Sequence, residues 1–280
     1  MRGKLILCAT PIGNLEDITF RAVKTLKQVD YIAAEDTRHT KKLLKTYDIN
    51  TPLTSYHEHN KYDKGKELIE FMIKGKTIAL VSDAGTPGIS DPGEELVRMC
   101  QEEEIEVTAL PGAVAGILAL IISGISTRRF CFEGFLPSNN KQRQIIIEQL
   151  KNESRTIIIY EAPHRLKKTL NYLSKELGNR NISICKELTK KFEKVIKTTF
   201  KNAIDIYEDN NPRGEYVLII EGKSLKEIMA EEHKEWNNIT IEEHMSYYKQ
   251  LGKDKKEAMK CVAKDRGITK REVYKSLLNK

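Results

Sequence analysis

The sequence predicts an α/β fold of two domains, followed by a small basic helical segment. Three observations carry this. Short apolar or β-branched runs alternate with stretches of helical spacing along most of the chain. The run Thr77 to Val81 breaks into Ser82-Asp-Ala-Gly-Thr-Pro-Gly-Ile-Ser-Asp-Pro-Gly93, after which a helix begins. A strand that opens into such a loop and re-enters a helix is the usual edge of a ligand crevice in a parallel sheet. Near the end of the chain only helical spacing remains.

The elements follow in order. Leu5 to Ala9 reads as a first buried strand, leaving through the turn-rich Thr10-Pro-Ile-Gly-Asn-Leu15. Asp17 is placed to cap a helix that carries Ala22, Val23, Leu26 and Val29 on one side. Tyr31 to Ala34 is the next strand, with Glu35-Asp-Thr-Arg-His39 at its end. Thr40 to Tyr47 reads as a helix, Pro52 with Ser55-Tyr-His-Glu-His-Asn60 as a loop, and Gly65 to Ile73 as a helix. In the organising loop Asp91 can cap the following helix, Pro92 suits its first turn, and Glu94 and Glu95 complement its dipole. Ile105 to Leu110 is a strand and Pro111-Gly112 a turn. The helix Ala113 to Ile122 is apolar nearly all round, which puts it in a core or between domains. These repeats argue a mostly parallel sheet in a first domain over 1–124.

A second α/β domain is expected over 125–222, with strands at Phe130–Phe135, Thr156–Tyr160, Ile182–Glu187 and Tyr216–Ile220. Lys194 to Phe200 alternates weakly and reads as an edge strand or hairpin arm. Leu166, Leu170, Leu173 and Leu177 stack on one helix face. A partly helical linker over 223–238 leads to a helical domain over 239–280, where Thr269-Lys-Arg-Glu272 has the capping-box pattern.

Charge is distributed unevenly. The net charge is +7, and residues 233–280 hold 12 bases against 7 acids. That tail is the first place to expect contact with a polyanion. Five scattered cysteines without a C-x-x-C pair point to a reducing, cytosolic compartment. The N-terminus has no signal-peptide pattern, and the longest apolar run is about half the length that spans a membrane. Walker A, G-x-G-x-x-G, G-x-S-x-G and H-E-x-x-H patterns are all missing, which argues against the enzyme classes they mark. The six histidines are scattered and no metal site is expected.

The chemistry-bearing residues gather at expected strand ends. Asp83, Gly85, Thr86, Gly88, Ser90 and Asp91 offer backbone groups and carboxylates to a ligand; short side chains allow close approach. Pro11-Ile-Gly13, Pro111-Gly112 and Gly214-Glu215 are further turns of this kind. Glu35, Asp36 and His39 can accept a proton, and Arg38 can bind phosphate. Capping by Asp36 or Thr37 is the ordinary alternative. His57 and His59 lie in a polar loop, and His164-Arg165 opens a helix as an anion-binding candidate.

Six stretches resemble one family closely: Thr10 to Thr19, Glu35 to Thr40, Ser55 to Asn60, Ser82 to Gly93, Phe132-Glu-Gly-Phe-Leu-Pro137 and Glu161-Ala-Pro-His-Arg-Leu166. They are similar to the bacterial small-subunit ribosomal RNA 2′-O-methyltransferases of the tetrapyrrole-methylase-like superfamily. Ala113-Val-Ala115, where Pro-Ser-Ala is common, and Ala162, where Ser is common, depart from the pattern by small residues only. The resemblance implies a two-domain fold with S-adenosylmethionine in the interdomain cleft. Pro11, Gly13, Asp83, Thr86, Ile89, Pro111 and Gly112 would come from the first domain, and Leu188, Gly214 and Glu215 from the second. It implies a cytosolic homodimer that methylates the ribose 2′-oxygen of a cytidine in the decoding region of 16S rRNA, in the assembled small subunit, with no DNA or membrane partner. A proton acceptor is expected among Glu35, Asp36, His39, His57 and His59. RNA phosphates are expected at Arg38 and Arg165 and, in the tail, at Lys255, Lys256, Lys264, Lys270 and Arg271. Methylation of a small tetrapyrrole-like metabolite, or a non-enzymatic ribosome-binding module, are the other readings.

Overall fold

The structure, a computed structural model, describes residues 2–278; Met1, Asn279 and Lys280, at the ends of the first and last expected segments, lie outside them. Two units divide the chain. One comprises Met1–Ile147 with Thr156–Glu221, and the other Glu148–Arg155 with Gly222–Lys280.

The larger unit holds two five-stranded sheets. The first contains β1 (Lys4–Cys8), β2 (Tyr31–Ala34), β3 (Leu53–Ser55), β4 (Ile78–Val81) and β5 (Glu106–Leu110), in the order β3-β2-β4-β1-β5. Every pairing is parallel. Alternate side chains of each strand therefore feed opposite faces. Ile6, Cys8, Ile32, Ala34, Ala79 and Val81 pack with Ala22 and Leu26 of α1 (Phe20–Gln28) and Leu44 of α2 (Thr37–Thr46). Leu5, Ala33, Ile78 and Leu80 pack on the other face with Leu68, Ile69 and Met72 of α3 (Lys61–Ile73) and Leu96 and Cys100 of α4 (Gly93–Glu102).

Several local readings shift. Asp17 belongs to a short 3-10 turn, Leu15–Asp17, and Thr19 caps α1 by accepting the Ala22 N–H. Residues 53–55, expected as loop, form the edge strand β3, because parallel pairing with β2 satisfies their backbone. The α2 helix begins three residues earlier than its apolar spacing indicates, because Asp36 caps it.

The second sheet runs β6-β7-β10-β8-β9 through β6 (Phe130–Phe135), β7 (Thr156–Glu161), β8 (Asn181–Lys186), β9 (Lys194–Thr199) and β10 (Tyr216–Ile220). Only β6 and β7 are parallel. The weakly alternating segment is β9, an antiparallel edge strand. The apolar helix α5 (Ala115–Ser123) packs on this sheet, where Ala119 and Leu120 meet Ile158, Cys185, Val217 and Ile219. Ile12, from the loop after β1, is buried in the same cluster and joins the two sheets through apolar contact. The helices α6 (Asn140–Leu150), α7 (Pro163–Leu177) and α8 (Phe200–Glu208) complete the α/β pattern.

In the smaller unit α9 (Leu225–Asn237) precedes α10 (Ile241–Gln250), α11 (Lys255–Asp265) and α12 (Lys270–Leu278). Met245, Ala258, Val262, Ala263 and Val273 form its core. Arg266 donates to His244 Nδ1 at 3.1 Å and to the carbonyls of Ile239 and Thr240, closing the start of α10 against the end of α11. Among the described residues no helix is long and apolar enough to cross a membrane, and no cluster of metal-ligating side chains occurs.

Candidate active site

Parallel pairing brings the carboxyl ends of β1, β2, β4 and β5 to one rim. From β1 the chain moves to α1 on one face of the sheet, and from β4 to α4 on the other. β1 and β4 are neighbours, so their exits diverge and leave a crevice, the switch point where open α/β sheets bind ligands. The two exit loops are tied across it: Thr10 and Gly85 exchange backbone hydrogen bonds of 2.9 and 3.1 Å. Thr10 Oγ1 also donates to the Ser82 carbonyl. The loop after β4 is fixed by Asp91, whose carboxylate accepts the N–H groups of Gly88, Ile89 and Gly93. Asp91 thus closes its own loop as well as serving the first residue of α4.

The second sheet meets this rim closely at two glycines. A Cβ on Gly13 would lie 2.9 Å from the Leu188 carbonyl and 2.6 Å from Thr189 Oγ1, so only glycine admits this approach. Gly134 sits at a bulge in β6 with φ +59°, where a Cβ would lie 2.8 Å from Ser90 Oγ.

Two adjoining cavities result, sharing the wall made by Ile12, Ser82, Asp83, Ala84 and Glu215. One, of about 450 Å³, is lined by Glu35, Thr86, Ile89, Asp91, Val114, Phe135, Tyr160, Glu161 and Val217 among others. It contains five carboxylates and no Lys or Arg. The other, of about 410 Å³, has Pro11, Gly13, Leu15, His39, Thr40, Lys42 and Lys190 in its lining.

The expected proton acceptors separate in this setting. Glu35 is half-buried on the wall of the larger cavity, and burial, then the Asp83 and Asp91 carboxylates, raise its pKa. Asp36 is occupied: it accepts the Arg38 and His39 N–H groups and the Arg38 guanidinium, which hold its pKa at about 2. Its own N–H donates to Asp83 Oδ1 at 3.0 Å, locking the ends of β2 and β4 together. His39 lines the smaller cavity. His57 lines neither cavity; its Nδ1 is buried without a hydrogen-bond partner, and its N–H is held by Asn60 Oδ1. His59 is exposed, 6.0 Å from the His57 ring.

Of the expected donor-binding residues, Asp83, Thr86, Ile89 and Glu215 line the larger cavity and Pro11 and Gly13 the smaller. Pro111 and Gly112 follow β5 at the same rim, outside both linings. Leu188 approaches through its carbonyl, and Gly214 packs on the Glu187 side chain. Arg38 is 89% exposed in its side chain and paired with Asp36. Arg165 is engaged by Glu161 at 3.3 Å and by the Leu136 carbonyl. Lys255, Lys256, Lys264, Lys270 and Arg271 are all exposed. Phe135 belongs to the motif Phe132–Pro137, whereas nothing in the sequence pattern marks Tyr160, Lys42 or Lys190 as lining residues. Tyr160 sits in a β-branched run that reads as core, yet its hydroxyl accepts the Gly116 N–H and its ring meets Phe132 and Phe135 edge-on.

Residues 4–204 match the family described as Tetrapyrrole (Corrin/Porphyrin) Methylases. The chain is 52% identical to the Ribosomal RNA small subunit methyltransferase I of Halalkalibacterium halodurans, covering 98% of this chain and 94% of that one. With the protein of the same name from Bacillus subtilis the identity is 51%, over 97% and 93%. The chain belongs to the ribosomal RNA small subunit methyltransferase I family. Among solved structures, a diphthine synthase superposes with a TM-score of 0.63 at 12% identity, covering 78% of this chain and 90% of that one. A uroporphyrin-III-C-methyltransferase from Thermus thermophilus gives 0.58 at 16%, with coverages of 78% and 94%. At such identities these neighbours show a shared fold alone.

Proposed function

We infer that this methyltransferase moves the methyl group of S-adenosylmethionine to the ribose 2′-oxygen of a cytidine in 16S rRNA. The observation that carries this reading is 52% identity, across nearly the whole chain, with a ribosomal RNA small subunit methyltransferase I. The target lies in the decoding region and is methylated in the assembled subunit, in the cytoplasm, by a pair of identical chains. The family resemblance supports these finer points.

The larger cavity suits the donor chemically. Glu161 and Glu215 are paired with Arg165 and Lys190, which leaves Glu35, Asp83 and Asp91 as lining carboxylates for a molecule that carries a sulfonium and an ammonium group, and Val114, Phe135 and Val217 offer apolar surface to its adenine. Asp83, Thr86, Ile89 and Glu215 are the residues proposed to hold it there, with Pro11, Gly13, Pro111, Gly112, Leu188 and Gly214 shaping the surrounding backbone. When bound, S-adenosylmethionine supplies an electrophilic methyl whose bonding pair returns to sulfur as the new C–O bond forms. What remains for the chain is to align the 2′-hydroxyl and take its proton. Glu35 is placed for that proton: it faces the cavity, and its raised pKa brings its basicity nearer to neutrality. Asp36 is held as a helix cap and a clamp on Asp83. Lys42 and His39 line the adjoining cavity, which is suited to the anionic nucleotide.

The test is transfer of labelled methyl to unmodified small subunits and to naked 16S rRNA, followed by nucleoside analysis. Label in 2′-O-methylcytidine is the expected result; label only in a small tetrapyrrole-like acceptor would overturn the reading.

We also propose that Lys255, Lys256, Lys264, Lys270 and Arg271 touch RNA phosphates. Changing all five to Gln should lower RNA affinity about tenfold or more near physiological salt and flatten its salt dependence. An unchanged slope of log affinity against log salt would remove the tail from the interface.

A further inference from the structure

We propose that the face formed by α1 and α2 is a docking surface for the phosphate backbone of the RNA, leading it into the cavity that contains Lys42. The proposal rests on the RNA-methyltransferase reading and adds a surface to it. The two helices pack on the same face of the first sheet. Together they carry Arg21, Lys24, Lys27, Arg38, Lys41, Lys42 and Lys45, and neither contains an acid. All seven are exposed.

The sequence divides its charge differently on the opposite face. There, α3 and α4 mix both signs, and Lys64–Glu67, Lys74–Glu70 and Arg98–Glu95 pair along the helices. On the α1–α2 face only Arg38 is paired, with Asp36; the other six make no ion pair among the described residues. Lys41 and Lys45 are four residues apart, as are Arg38 and Lys42, while Arg21, Lys24 and Lys27 are spaced by three. Like charges at these spacings repel and disfavour the helix. A polyanion lying on the face relieves that repulsion and releases its own counterions.

Position gives the second argument. Lys42, with Leu43 and Thr46 of α2, lines the smaller cavity, so the basic face runs into the site. Leu15, in the turn before α1, lines the same cavity, and Tyr47 at the end of α2 donates to its carbonyl. At the start of α1, Phe20 is 98% exposed. A ring this exposed beside a basic face offers a base a surface on which to stack. Phosphate contacts of this kind position the strand without reading its sequence.

The experiment compares the intact protein with a K24Q/K27Q/K41Q/K45Q variant, none of whose changed residues lies in either cavity lining. A K66Q/K74Q variant on the opposite face serves as control, and thermal melts verify folding. Methyl transfer to small subunits and filter binding of naked 16S rRNA are both read across salt concentrations. The expected result is a KM for RNA raised about tenfold or more, kcat and donor affinity within about twofold, and a shallower salt slope, with the control unchanged. Equal RNA affinity and equal salt slope in the folded variant would overturn the proposal. Should the unaltered protein bind rRNA but transfer no methyl to it, the functional reading fails. Loss of binding in the variant would then still establish the surface.

Discussion

Changing Glu35 to Gln is expected to lower kcat by about 10²–10⁴-fold while leaving donor affinity nearly intact, the range for losing a positioned base. Glutamine keeps the volume and removes the proton acceptor. The pH profile separates this from a structural effect. Glu35 has a raised pKa from burial and from Asp83 and Asp91, so the active, ionised form appears only above the usual carboxylate range. The acid limb of kcat in the unaltered enzyme should rise through that raised value, and in Glu35→Gln it should flatten. Stability should move the other way. A carboxyl whose folded pKa is raised contributes its full stability below its unfolded pKa and loses it as pH rises through the folded value. At neutral pH the Gln variant should therefore melt higher than the parent. A variant retaining kcat within about tenfold would move the base to His39, the other expected acceptor that lines a cavity.

Asp83→Ala should weaken S-adenosylmethionine binding by about 10–100-fold, the range for a hydrogen bond to a charged group. Asp83 belongs to the wall between the cavities and accepts the Asp36 N–H at 3.0 Å. Alanine removes both roles, so kcat should fall as well, through loosening of the strand end that carries Glu35. Asp83→Asn separates them: its amide oxygen can still accept the Asp36 N–H, while the negative charge is gone. Titration calorimetry with the donor reads the charge, and single-turnover transfer reads the alignment. Donor affinity unchanged in both variants would take Asp83 out of the donor site.

Much of this was legible in the sequence because local chemistry and tertiary role agree. Val81-Ser-Asp83 reads as a strand end opening into a loop, and β4 does end at Val81, with Ser82 and Asp83 lining both cavities. Asp36 reads either as a cap or as a proton acceptor, and only the hydrogen bonds from Arg38 and His39 decide its occupation. Arg165 follows a strand and opens a helix, as an anion-binding residue does. Its guanidinium is taken by Glu161, buried at the end of the preceding strand, a pairing that depends on the turn between them. β3 was hidden because three residues are too few for a period to register. Tyr160 was hidden because a residue in a β-branched run carries no sign of which sheet face meets a cavity.

The second sheet has a consequence for the order in which the protein is made. Its last strand to be synthesised, β10, is buried throughout and sits in the middle, between β7 and β8. Until Tyr216–Ile220 leave the ribosome, β6–β7 and β8–β9 are separate ribbons, each with an open inner edge. The first sheet has its central strand β4 by residue 81 and can form early, whereas the second closes late, on contacts far apart in the chain. The nascent enzyme thus passes through a stage in which one half of its cleft is folded and the other still awaits its keystone.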